Sequence, residues 1–258
     1  MRHSRLQNTQ LQIEVCGKLI KESECEKILG ILVNNKLTWS NHLLGDYSDS
    51  DKPITGLISQ LSKRVGMLTR LSNIIPKERF KSLAHGLFFS KLLYCLPLFG
   101  YVWGIEKIQS GPSRNNSFTK SNLRALQILQ NKILRLITNS PYDMPVKEML
   151  KQADILSVNQ LVAFSIINSV FKIKKSGKPT YMANRLGFGQ PRPTNRTYLN
   201  QHNINVPFKL STAREGFVYK AAKLWSVLPL HIKLESREKM FKIELKSWIR
   251  AHVPAIPN

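Results

Sequence analysis

From Pro53 onward the apolar residues of this chain recur at intervals of three and four, a spacing that commits most of its length to packed helices. Ile54, Leu57, Ile58, Leu61, Val65, Leu68 and Leu71 make one stripe, and Pro53 suits a first helical position. Pro76 opens a second helix with Phe80, Leu83, Leu87 and Phe88 on its core side, ending near Pro97. A third takes its stripe from Leu123, Leu126, Leu129, Ile133, Leu136 and Ile137 and stops at Ser140–Pro141. One or two further helices fill 145–173, and a last pair spans roughly 211–226 and 236–250. Residues 106–122 read as a polar loop, and 174–210, rich in Gly, Pro, Lys and Arg with little periodicity, as an extended basic linker.

Only the N-terminal part departs from this pattern. LQIEV and KILGILV, between residues 11 and 33, are β-rich runs, Asn34–Asn35 reads as a turn, and 45–52 as an acidic loop. The expected fold is therefore mainly α, a helical bundle with a small N-terminal β element. Four segments are expected: 1–52, 53–173, 174–210 and 211–258.

Charge narrows the function. Residues 1–51 hold six basic and seven acidic side chains, whereas 52–258 hold 33 basic and nine acidic ones, a local excess of +24. Lys and Arg bind polyanions by releasing condensed counterions, so such a region reads first as a nucleic-acid binder. A solvated basic surface and an anionic membrane surface are the other readings of the same charge. The stretch from Gly86 to Ile105 has the length of a membrane span, but Lys91 inside it costs roughly 2.5–3.5 kcal/mol on insertion scales. It is expected to be a buried core helix. MRHSRLQNTQ has no apolar leader region, and an intracellular, cytoplasmic or nuclear, location is expected.

The chemistry of catalysis is sparse. Cys16, Cys25 and Cys95 have no zinc-ligand spacing and no disulfide framework, and the six histidines are scattered. Two-metal nucleotidyl transfer needs clustered carboxylates, and the close aspartates, Asp46, Asp49 and Asp51, lie in a polar loop. No phosphate-binding Gly-rich loop and no nucleophile elbow is present. No catalytic residue, metal site, cofactor or small-molecule substrate is expected on this chain.

Four segments carry a resemblance. Leu29-Gly30-Ile31-Leu32-Val33-Asn34-Asn35-Lys36-Leu37-Thr38-Trp39-Ser40-Asn41-His42 resembles the L-G-V-x-L-D-x-x-L-x-W-x-x-H segment of non-LTR retrotransposon reverse transcriptases. YCLPLFGYVWG, from Tyr94 to Gly104, is similar to a Tyr-rich stretch of that family ending in V-W-G. LQILQNKILRLITN, from Leu126 to Asn139, resembles its L-Q-x-x-Q-N-K-x-L-R-x-I-T segment. Leu224-Trp225-Ser226-Val227-Leu228-Pro229 with Phe241-Lys242 looks like its W-N-x-L-P and F-K-x-x-L pair. Asn34 stands where the family usually has Asp, and Ser226 where it often has Asn.

The resemblance implies the end of a polymerase palm (1–52), a thumb-like bundle (53–173) and the helical region that follows, the family's metal-binding carboxylates lying upstream. It also implies a partner, RNA or an RNA–DNA duplex, held by its backbone without much regard to sequence. The expected phosphate contacts are Lys63, Arg64, Arg70, Lys77, Arg79 and Lys81, then Arg124, Lys132 and Arg135, then Lys172, Lys174 and Lys175 with Arg185, Arg192 and Arg196. Asn34, Asn35 and Trp39 would lie near a primer end, with Trp39 either stacking there or packing between sheet and helix. Trp103, Trp225 and Trp248 are expected as core anchors. Two other readings stay open: part of an RNA-directed DNA polymerase whose catalytic portion is encoded upstream, and a helical interaction protein that binds no nucleic acid.

Overall fold

Two short β-hairpins begin the part of the chain that a computed structural model describes, namely residues 12–21, 23–35, 39–46, 54–104, 119–188, 204 and 216–255. Strand β1 (Gln12–Val15) pairs antiparallel with β2 (Lys18–Lys21), and β3 (Cys25–Ile28) with β4 (Ile31–Asn34). The loops are Cys16–Gly17, with φ 52° and 74°, and Leu29–Gly30, with φ 49° and 83°. Positive φ at both central residues is the turn whose twist matches that of the flanking strands. KILGILV is thus two strands folded at Leu29–Gly30 rather than one continuous run. Asn34 closes β4 opposite Cys25, so the expected Asn34–Asn35 turn begins one residue later, with the Asn35 amide donating to Glu24 O at 2.9 Å.

Helix α1 (Ser40–Leu44) leads into β5 (Gly45–Asp46), which pairs with β6 (Ile54–Thr55). This overturns the expected helix start at Pro53: α2 runs from Leu57 to Leu71. The cause lies at Gly56, where a Cβ would come within 2.3 Å of Gly45 N and Leu44 C. The chain crosses the end of α1 in an extended conformation, and only after Gly56 can it coil. Leu57, Leu61, Val65 and Leu68 then bury as the stripe requires.

Helix α3 (Lys77–Ala84) follows Pro76 and runs on through a π-helical turn, His85–Phe89, into α4 (Ser90–Leu93). The rod stops at Leu93, earlier than expected, because Tyr94 is extended and Cys95 left-handed at φ 54°. Pro97 instead sits in the first turn of α5 (Leu96–Phe99), where its missing N–H is not needed. Helix α6 (Lys120–Thr138) starts three residues before its first stripe residue, with the Thr119 hydroxyl accepting from the Asn122 amide at 3.1 Å. Residues 106–118 of the expected loop lie outside the described residues.

Two helices, α7 (Val146–Ala153) and α8 (Val158–Ser176), turn about left-handed Asp154. A Ser157–Gln160 capping box closes the start of α8. The expected linker is partly helical: Lys174–Ser176 complete α8, and α9 (Thr180–Leu186) packs on α8 and on α10 (Phe217–Val227). Leu186 is fully buried and Ile204 nearly so, anchors too few to register as periodicity. Then come α11 (Leu230–Leu234) and α12 (Glu238–His252).

The fold is mainly α with a small N-terminal β element. Its core is one cluster running from Leu43 to Val253. Helix α8 is its axis, burying Val162, Ala163, Ile166, Ile167 and Val170 against α5, α6, α10 and α12. Trp225 is fully buried, and the Phe171 and Phe241 rings stack at 3.9 Å between centroids. Trp103 and Trp248 pack against the core half-buried. No single described helix is long and apolar enough to cross a membrane. The bent pair α7–α8 passes that test by length and composition only, and α8's apolar residues are the core just described.

Candidate nucleic-acid interface

Helices α2, α6 and α8 contain no carboxylate at all, while α2 carries Lys63, Arg64 and Arg70 and α6 carries Lys120, Arg124, Lys132 and Arg135. Helix α2 packs along α6, so these cations are carried by two neighbouring helices. With no carboxylate on either helix, these cations give the pair a positive field of the kind that attracts polyanions.

The expected contact residues fall into groups with different duties. Lys63, Arg70, Lys77, Arg79, Arg124 and Lys132 are exposed, and no described residue accepts a hydrogen bond from their side chains or forms an ion pair with them. Lys172 and Lys175, also exposed, lie close enough to Glu238 to help depress its carboxyl pKa after Lys242. Arg185 is exposed on α9, and Arg192 and Arg196 lie outside the described residues.

Four others already hold the fold together. Arg64 Nη1 donates to Leu87 O inside the π-helical turn. Lys81 Nζ donates to Ala153 O at 2.8 Å, Arg135 Nη2 to Tyr142 O at 3.1 Å, and Lys174 Nζ to Lys233 O at 2.8 Å. Ala153 ends α7 and Lys233 lies in the last turn of α11, so these cations meet carbonyls that have no partner within their own helix.

The same device recurs at two lysines that the sequence does not single out. Lys220 is buried, and its Nζ donates to Leu98 O at 2.9 Å and Gly100 O at 2.7 Å, at the end of α5. Lys233, equally buried, donates to Ser226 O at 3.3 Å near the end of α10. Desolvation lowers the pKa of both Lys174 and Lys233. A signal for Lys220 does exist: it sits three residues after Phe217 and four before Leu224, inside the apolar stripe of α10.

Between α2 and α6 the surface opens into a concavity of about 590 Å³ lined by Thr69, Ile128, Asn131, Lys132, Arg135 and Tyr142. Two of the expected contacts, Lys132 and Arg135, meet there. Arg124, Ile128 and Lys132 follow one another at four-residue steps along the exposed side of α6. Arg70 is the neighbour of Thr69 on the α2 side.

The expected primer-proximal residues are placed around α1. Asn34 Nδ2 donates to Asn41 Oδ1 at 3.2 Å, and Trp39 is half-buried against the core. The Asn35 side chain is exposed. Beside them His42 is 5% exposed, its Nδ1 facing the Leu32 amide at 3.5 Å and its ring edge-on to Phe99.

Asp46 lies in β5, while Asp49 and Asp51 lie outside the described residues. Among the described residues no three His, Cys, Asp or Glu side chains converge as metal ligands. No protein-family model, curated protein or solved structure gives a significant match to the chain.

Proposed function

We propose that this chain binds RNA or an RNA–DNA duplex along the α2–α6 face, largely without sequence preference, and performs no chemistry of its own. On this reading it corresponds to the end of the palm, the thumb and the following helical region of a reverse transcriptase of the non-LTR retrotransposon type. The observation that carries the proposal is the set of exposed cations without partners among the described residues, Lys63, Arg70, Lys77, Arg79, Arg124 and Lys132, on helices that hold one acidic residue between them, Glu78. Lysines and arginines on rigid helices contact phosphates and so position a duplex without reading its bases.

Binding of the purified chain to a labelled RNA–DNA duplex across a salt series tests this. Log affinity is expected to fall linearly with log salt, equally for unrelated sequences. The double variant Arg124→Ala/Lys132→Ala should flatten that slope by roughly 2, about one for each phosphate no longer neutralised, with its helical circular-dichroism signal unchanged. A folded chain that binds nothing at low salt sinks the proposal and leaves the helical interaction protein as the better reading.

A further inference from the structure

Resting on that nucleic-acid reading, we propose that Tyr142 is a stacking step for one unpaired base, so that the chain prefers nucleic acid carrying a single-stranded segment over a fully paired duplex. Tyr142 is 89% exposed, the most exposed of the large hydrophobic side chains among the described residues. An aromatic ring left this open in water has a face to offer, and base–aromatic stacking accepts any base because each has a π-face.

The ring is exposed but its main chain is not loose. Arg135 Nη2 donates to Tyr142 O at 3.1 Å, and its guanidinium lies 5.1 Å from the ring centroid. The Ser140 amide donates to Arg135 O and the Met144 amide to Pro141 O, both at 3.3 Å, closing the turn on each side. Holding a platform in place before the ligand arrives lowers the entropy cost of binding.

What surrounds the ring suits a nucleotide. The adjoining concavity, about 590 Å³, falls within the size range of small-ligand sites. Ile128, 51% exposed, supplies an apolar wall. Asn131 Oδ1 accepts from Gln127 Nε2 at 2.8 Å, which leaves its amide NH₂ as a donor for a base edge. Lys132 stands ready for the flanking phosphate, and Asp143, the one carboxylate of the turn, disfavours phosphate on its own side. A base inside a duplex has both faces covered by its stacked neighbours, and only the end pairs keep one open, so the ring is offered chiefly to unpaired bases.

The test compares a labelled twelve-nucleotide single strand with a blunt RNA–DNA duplex at fixed low salt, using the full chain. Tyr142→Ala is expected to weaken single-strand binding on the order of tenfold while moving duplex binding less than twofold. Tyr142→Phe keeps the ring and should bind like the parent chain. A 2-aminopurine in the single strand should be quenched on binding by the parent chain and by Tyr142→Phe, but not by Tyr142→Ala. Equal losses on both ligands, or no loss on either, would overturn the inference while leaving the phosphate-gripping reading intact. Failure of the parent chain to bind either ligand would overturn both together.

Discussion

Replacing Asn159 with Ala is expected to lower the unfolding free energy by about 4 kcal/mol, at the upper end of what single substitutions do. Asn159 is fully buried at the start of α8. Its Oδ1 accepts from the Trp103 amide at 2.9 Å, and its Nδ2 donates to Trp103 O at 3.0 Å and Pro254 O at 2.9 Å. One side chain therefore fastens the extended 101–104 segment and the residue that follows α12 to the central helix. Truncation leaves three partly buried main-chain groups without this partner, and a buried group costs about 1–3 kcal/mol when left unpaired. Relaxation of the two partner segments toward solvent recovers part of that sum. Nearby, Gln160 Nε2 holds Val253 O at 2.9 Å, and Gly104, at φ 77°, has no room for a Cβ, which would lie 2.5 Å from Pro254 Cγ. Urea unfolding measures the effect. A loss under 1 kcal/mol would mean that these segments are held by packing and that the amide only decorates the seam.

That seam explains what the sequence can and cannot disclose. The helical stripes are legible because burial follows them: Leu57, Leu61, Val65 and Leu68, or Leu123, Leu126 and Ile133, are buried where periodicity puts them. Short motifs are visible too, but their physical role is not. In LQILQNK, Gln127 and Gln130 are buried amides that tie α6 to α8. Gln127 Oε1 accepts from the Val158 amide at 2.9 Å, and Gln130 Nε2 donates to Leu156 O at 2.8 Å. The Leu29–Gly30 turn is clamped by the hydroxyl of Tyr94, which donates to Leu29 O at 2.7 Å across 65 residues of sequence. Residues in these motifs thus serve as fasteners between segments distant in the chain. Periodicity finds faces within one element and carries no information on which carbonyl a distant Gln or Lys will reach.

The same limit applies to the candidate interface. Counting lysines and arginines identifies the basic helices, but not how they divide between solvent and structure. Lys63 and Arg64 are adjacent on α2; one is exposed and the other holds Leu87 O. Which of two neighbours is available to a phosphate depends on where α4 and the π-helical turn lie, a tertiary fact. Tyr142 has no signal in the sequence because a single aromatic in a polar turn makes no pattern, and only its exposure beside Lys132 and Arg135 singles it out.

Acid is expected to destabilise the chain by about 3 kcal/mol through His42 alone. Burial lowers the His42 pKa from 6.5 to about 4, with Lys91 adding repulsion in the same direction. The Leu32 amide faces Nδ1, so the neutral ring keeps its proton on Nε2, and Phe99 packs edge-on against it. Below pH 6.5 the unfolded chain takes up a proton that the folded chain refuses until about pH 4. The stabilisation from keeping His42 neutral is therefore complete above pH 6.5 and is lost as pH falls through that window. At about 1.36 kcal/mol per pKa unit the full effect is roughly 3 kcal/mol. His85, also lowered by desolvation, contributes in the same direction, as do other groups common to parent and variant, so the difference between the two isolates His42. His42→Leu should show a shallower decline of unfolding free energy between pH 6.5 and 4, by about one proton. It forfeits some stability at pH 8, where the Leu32 amide loses its acceptor. Because His42 joins β4 to α1 and α5, protonation should release the β3–β4 hairpin before the helices melt. Amide exchange at Leu32 should therefore accelerate below pH 6 in the parent chain ahead of any loss of helical signal. Parallel pH profiles for parent and variant would show that the buried ring titrates like any surface histidine.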